Sequence, residues 1–185
     1  MFLLLLSIQS FALHQSVPFI GGDILYEAGL DGKGIGVCVI DSGIYYNHTH
    51  LQGFRGGYDY GDLDDDPIES VLNSNSMNGH GTKVSGIIIS SSLSNRGVAP
   101  ESDLYVIKIA RDASNVSISE YMRNTKLGIE WCVEKASQYN ISIISISQGV
   151  PYETYKDQCS DKYNMAPSIN KAIEEGISIV VGTGN

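Results

Sequence analysis

The chain has 185 residues, enough for one domain with a buried core. Its 42 % hydrophobic content is that of an ordinary globular protein. With 12 basic against 21 acidic residues the net charge is −9, which disfavours nucleic acid and anionic membranes as partners.

Residues 2–13 are apolar apart from Ser7, Gln9 and Ser10. The stretch is too short to span a bilayer. Residues 1–16 read as a signal peptide or a prosegment remnant. The two readings stay open, because no Lys or Arg precedes the apolar core and no small-x-small cleavage site follows it. The domain proper is taken as residues 17–185. Gly21-Gly22-Asp23 opens a short helix, with Asp23 expected near its N-cap and Gly29 at its end. Asp31-Gly32-Lys33-Gly34 is a turn into a strand. A dinucleotide-binding glycine cluster follows a strand, so this one is not a nucleotide loop.

Val37-Cys38-Val39-Ile40 is an unbroken apolar run, β-branched at three of four positions. It reads as a strand buried on both faces, as in parallel sheets. Asp41 follows, and Ser42-Gly43 turns the chain. Ligands of open α/β sheets bind at the carboxyl ends of the strands. Asp41 is therefore expected at the rim of a site, although Asp is also a common turn former. His48 and His50 lie in the next loop and read as surface residues, since two His without a third ligand make a poor metal site. Residues 56–60 form a second strand. Residues 61–67 form an acidic loop without the calcium-binding EF-hand spacing. Residues 70–77 are polar and expected to be mobile.

Asn78-Gly79-His80-Gly81-Thr82 opens an apolar-periodic run through Val84, Ile87 and Ile88, with small residues between. This is the start of a helix packed closely on a sheet, with His80 in its first turn. Asp41 and then His80, each at the sheet rim, are two members of a triad in the chain order Asp…His…Ser. Residues 104–109 form a strand. Ser117-Ile118-Ser119-Glu120 is a capping box. It opens a long helix with Ile118, Tyr121, Met122, Thr125, Ile129, Cys132, Val133 and Ala136 on one face, and Trp131 packing beside them. Residues 141–146 form a strand that ends in Ser147-Gln148-Gly149. After a long loop, residues 151–167, Ile169, Ala172 and Ile173 mark a helix closed by Gly176. Residues 177–181 read as another buried strand, ending in Gly182-Thr183-Gly184-Asn185. The alternation predicts an α/β fold with a doubly wound, mainly parallel sheet.

Three cysteines allow one internal disulfide at most. Cys38 is expected to be an inert core thiol. Cys159 falls in a loop. Asn47, Asn115 and Asn140 stand in sequons read as chance matches.

Val39-Ile40-Asp41-Ser42-Gly43 and Gly79-His80-Gly81-Thr82 resemble the first two catalytic motifs of the subtilisin-like serine proteases, the subtilases. The similarity runs from about Val17 to Asn185. Gly97-Val98-Ala99-Pro100 and residues 104–109 resemble the next strand of the family, Ser147-Gln148-Gly149 its substrate-binding segment, and residues 180–185 the strand that ends in its oxyanion Asn.

The resemblance implies a three-layer sandwich and a serine endopeptidase. Asp41 and His80 would be catalytic, and Asn185 would donate to the oxyanion. Ser147, Gln148 and Gly149, with Gly182, Thr183 and Gly184, would bind a peptide or protein substrate. The family nucleophile sits in a Gly-Thr-Ser type motif, and no Gly-Thr-Ser occurs in the sequence. The 185 residues are thus expected to be a partial domain, inactive by itself. The alternative is a non-catalytic subtilase-like module that binds peptides or proteins. Gln148 replaces the usual Leu and is expected to change the pocket lining. The family often holds calcium through an Asp at the position of His50, and an imidazole is a poor ligand for a cation that takes oxygen. Calcium is the one cofactor the resemblance implies, with that site impaired and no metal ligand assigned. A secreted or extracellular location is expected.

Overall fold

The computed structural model of the protein describes residues 13–69, 79–110, 116–149 and 163–182. Two short helices, α1 (Leu13–Phe19) and α2 (Gly22–Glu27), lead into β1 (Gly36–Asp41). Then come β2 (Phe54–Asp59), α3 (His80–Ile89), β3 (Asp103–Lys108), α4 (Ile118–Tyr139), β4 (Ile141–Ile146), α5 (Ala166–Glu174) and β5 (Ser178–Val181). The five strands form one sheet in the order β2-β3-β1-β4-β5, and every neighbouring pair is parallel. β1 is the central strand. Its register pairs Asp41 with Lys108, so the carboxyl ends of β1 and β3 lie side by side. That edge is where an open parallel sheet offers a ligand crevice.

The apolar run of β1 is buried on both faces, and successive side chains divide between two cores. Val37 and Val39 pack with Ile44, Leu51, Ile89, Leu104 and Val106 on the α3 side. Cys38 and Ile40 pack with Ile107, Ile129, Val133, Ile144 and Ala172 on the side of α4 and α5. Burying one such side chain contributes roughly 1.5–3 kcal/mol. Gly128 lets α4 close on the sheet, because a Cβ there would meet Ile107 and Ile40 at 3.1 and 3.2 Å. Ser117 caps α4 by accepting from the Glu120 N–H at 3.2 Å.

Buried charge supports the carboxyl edge. The Lys108 ammonium lies 3.0 Å from Asp59 and donates to the Ile68 carbonyl at 3.0 Å. Burial pushes the Asp59 carboxyl up, while the Lys108 ammonium pulls it back down.

Three readings of the sequence are corrected. Cys38 is not a free thiol: it is joined to Cys132 of α4, with Cα atoms 6.1 Å apart. β5 is not a buried strand. It lies at the sheet edge, paired with β4 alone among the described residues, and Val180 and Val181 are 60 % and 53 % exposed. Ile118 is exposed, because the face of α4 that meets the sheet begins further on, at Asn124 and Thr125. Residues 70–77, Cys159 and Asn115 lie outside the described residues.

Candidate active site

The site is built where the end of β1 meets the start of α3. Asp41 ends β1 and is fully buried. His80 is the first residue of α3, following Gly79, whose φ of 73° places it in the left-handed region that suits glycine. The His80 Nδ1 lies 2.8 Å from Asp41 Oδ1. A carboxylate only accepts, so Nδ1 carries the proton and Nε2 is the nitrogen left with a free lone pair. The His80 side chain is 40 % exposed, against 0 % for Asp41. The pair thus has a buried anchor and an accessible working end.

Asp41 is held by more than His80. The Ser42 backbone N–H donates to Oδ1 at 2.7 Å, and the Gln148 side-chain amide does so at 2.6 Å. Oδ2 is buried without a hydrogen-bond partner among the described residues. The Ser42 hydroxyl lies 3.1 Å from Oδ1 but has a single proton, and its shorter contact is to Glu69 Oε1. It therefore donates to Glu69, and it accepts from the Gly81 N–H at 2.9 Å.

Glu69 is a second buried carboxylate, 2 % exposed. Its other oxygen accepts from Thr82, from the N–H at 3.1 Å and the hydroxyl at 2.7 Å. The Thr82 hydroxyl in turn accepts from the Tyr45 N–H at 2.8 Å. Glu69 thus closes a brace between the turn after β1 and the first turn of α3. The N-terminus of a helix favours such an anion through its free N–H groups and its dipole. The sequence reading missed Glu69. It lies in a polar stretch with no periodicity, and only the fold brings it to Ser42 and Thr82.

Ser147 and Gly149 are exposed just past β4, and the Gly182 N–H donates to the Ile146 carbonyl at 2.9 Å. The start of the Gly182 segment therefore lies beside the Ser147 segment. Thr183, Gly184 and Asn185 lie outside the described residues. The Gln148 side-chain amide lies between Asp41 and the Tyr121 hydroxyl.

His48 and His50 are exposed imidazoles with ring centres 5.6 Å apart. Among the described residues no three His, Cys, Asp or Glu side chains gather into a metal site. Nor is any helix among them long and apolar enough to cross a membrane.

The profile of the subtilase family matches residues 32–185. The chain belongs to the subtilase family. Among similar subtilases, the major intracellular serine protease of Bacillus subtilis is 30 % identical over 176 residues, covering 94 % of this chain and 50 % of that protein. Subtilisin Savinase of Lederbergia lenta is 29 % identical over 177 residues, covering 92 % and 56 %. The minor extracellular protease Vpr of Bacillus subtilis is 27 % identical over 178 residues, covering 94 % and 20 %. The chain thus spans between a fifth and just over half the length of these relatives. The solved structure of the Clostridium perfringens CspB protease superposes with a TM-score of 0.68 at 23 % identity, covering 88 % of this chain and 39 % of that one. That likeness speaks for the fold. It agrees with the parallel sheet on which this subtilase carries its Asp-His pair.

Proposed function

We propose that the chain carries the acid–base half of a serine endopeptidase. The supporting observation is the 2.8 Å contact between His80 Nδ1 and the buried Asp41 carboxylate. Peptide hydrolysis needs a hydroxyl made nucleophilic at neutral pH, and an imidazole within reach removes its proton. His80 takes that proton on Nε2 and later gives it to the leaving amine. Asp41 fixes the tautomer and stabilises the imidazolium. Asn185 is assigned the oxyanion, for which one such donor is worth on the order of 10²–10³ in rate. The Ser147–Gly149 backbone is assigned to the substrate, which would add as a strand. The substrate class is therefore a peptide or protein in extended form. The nucleophile belongs to a Gly-Thr-Ser type motif that these 185 residues do not contain.

A secreted location is part of the same reading. The buried Cys38–Cys132 disulfide suits an oxidising compartment, and one relative is named an extracellular protease.

The test is chromogenic-peptide hydrolysis by the native gene product and by its His80→Ala form. Turnover should fall by several orders of magnitude in the variant, on the scale of about 10⁶ known for subtilisin. The 185 residues produced alone should show no His80-dependent turnover. Peptide binding with no hydrolysis by the native product would replace the enzyme with a binding module.

A further inference from the structure

We infer that Gln148, oriented by Tyr121, is a positioning residue that locks Asp41 onto His80. The inference rests on the serine-peptidase reading for its kinetic consequence, but its geometry stands by itself. Three elements meet at this point: the end of β1, the first turn of α4 and the segment just past β4. The Gln148 amide lies 2.6 Å from Asp41 Oδ1 on one side and 2.6 Å from the Tyr121 hydroxyl on the other.

The direction of both bonds follows from donor and acceptor chemistry. Asp41 as a carboxylate has no proton to give, so the NH₂ group of Gln148 must face it. The amide oxygen then faces Tyr121 and accepts the phenol proton. Burial, together with the nearby Asp41 charge, holds the Tyr121 phenol well above its ordinary pKa, so that proton stays in place at working pH. The relay therefore runs in one sense, from Tyr121 through Gln148 to Asp41. The amide cannot flip without placing its oxygen against the carboxylate.

What this does for His80 follows from the crowding on one oxygen. A carboxylate held by a single imidazole can rotate about its own bond and offer either oxygen. Here Ser42 N–H, Gln148 N–H and His80 N–H all converge on Oδ1, while Oδ2 receives nothing from the described residues. Two neutral donors thus fix the acceptor in place before His80 arrives. They also spread the buried negative charge over bonds that move no proton. The imidazole meets a preset acceptor, which selects its Nδ1–H tautomer and keeps Nε2 free. Such preorganisation is how a neighbouring hydrogen bond reaches a reaction without touching the substrate.

The test uses Tyr121→Phe, which removes one oxygen, and Gln148→Leu, which removes the amide. The first readout is the ¹⁵N shift of each His80 ring nitrogen, taken by NMR on the native gene product at a pH where the ring is neutral. The unaltered chain should hold the Nδ1–H tautomer. Both variants should move toward the Nε2–H form favoured by a free imidazole. The second readout is peptide hydrolysis by the native gene product. There kcat should fall about tenfold to a hundredfold in Gln148→Leu, the scale of one hydrogen bond to a charged group, with KM unchanged. Tyr121→Phe should fall in the same direction by less. Should Gln148→Leu fail to fold, Tyr121→Phe decides. Identical His80 shifts in the unaltered chain and the folded variants overturn the inference, as does a loss that appears only in KM. A tautomer shift without hydrolysis in the native product would support the relay and reject the peptidase reading. Hydrolysis that needs His80 but ignores both variants would do the reverse.

Discussion

Gly81 stands against Gly43 with no room for a side chain. A Cβ on Gly81 would fall 2.1 Å from the Gly43 carbonyl oxygen and 3.1 Å from Asp41 Oδ1. The obstacle is backbone, which cannot swing aside as the tip of a side chain can. Gly81 is also the neighbour of His80, so its closeness to Gly43 sets the Asp41–His80 distance. Gly81→Ala should force α3 away from β1. The expected cost is about 1–3 kcal/mol from overpacking, read as a lower urea midpoint. Hydrolysis by the native product should fall about a hundredfold, as for a reacting group misplaced by about 1 Å. A Gly81→Ala protein with unaltered stability and rate would show that the approach of the two glycines does not position His80.

Glu69 makes a second, independent claim on the same geometry. Its carboxylate accepts from the Ser42 hydroxyl and from both polar groups of Thr82. Glu69→Ala would leave these donors buried beside a cavity. Each buried group left unsatisfied costs about 1–3 kcal/mol. Glu69→Gln keeps an acceptor and much of the volume, so it should cost less. Urea unfolding of the two variants gives the order. Equal stability of Glu69→Ala and the unaltered chain would mean that the brace contributes nothing.

The parts of this site that a single segment carries were legible in the sequence. Val37 to Ile40 announces a buried central strand, and Asp41 is fixed at its end whatever surrounds it. Gly79-His80-Gly81 announces a helix start, because it opens an apolar-periodic run through Val84, Ile87 and Ile88. The parts that depend on a distant segment were not legible. Cys38 looks like any core thiol until α4 sets Cys132 over it, 94 residues later. The apolar run of β5 is as rich as that of β1, yet burial is a property of the layers around a strand and not of the strand. Gln148 could be placed near the site by resemblance. The direction of its amide is decided by Asp41 and Tyr121, which lie 107 and 27 residues away in the chain.

The disulfide gives a prediction of its own. Cys38 and Cys132 are both fully buried, and their bond ties the central strand to α4 across a separation of 94 residues. Closing so long a loop restricts the unfolded chain, a stabilisation of about 2–5 kcal/mol in which the entropic share is model-dependent. Cys132→Ala should lower the urea midpoint of the 185-residue chain accordingly. Added reductant should lower that of the unaltered chain and leave the variant where it was. A midpoint that ignores reductant, in a chain whose cysteines are then shown to be reduced, would remove the disulfide from the account of stability.

Glu130 links α4 to α5 and carries a pH dependence. Its carboxylate takes the Lys126 ammonium at 2.7 Å and the Ser168 hydroxyl at 2.8 Å. The Lys126 hydrogen bond is the largest influence on Glu130 and holds its pKa below the ordinary carboxylate value, against the opposing effect of partial burial. A depressed folded-state pKa means that the unfolded chain binds the proton first as pH falls. The contribution is therefore present above the unfolded value, near 4.3, and is lost as pH drops through the folded one. The Glu130 side chain is 43 % exposed, so solvent screening keeps the effect small. Glu130→Gln should have a slightly lower urea midpoint than the unaltered chain at pH 7. The gap should close as pH falls from the unfolded value through the lower folded one, because both side chains are then neutral. A gap that persists unchanged to pH 3 would mean that α4 and α5 are joined there by shape and neutral hydrogen bonds rather than by the charge on Glu130.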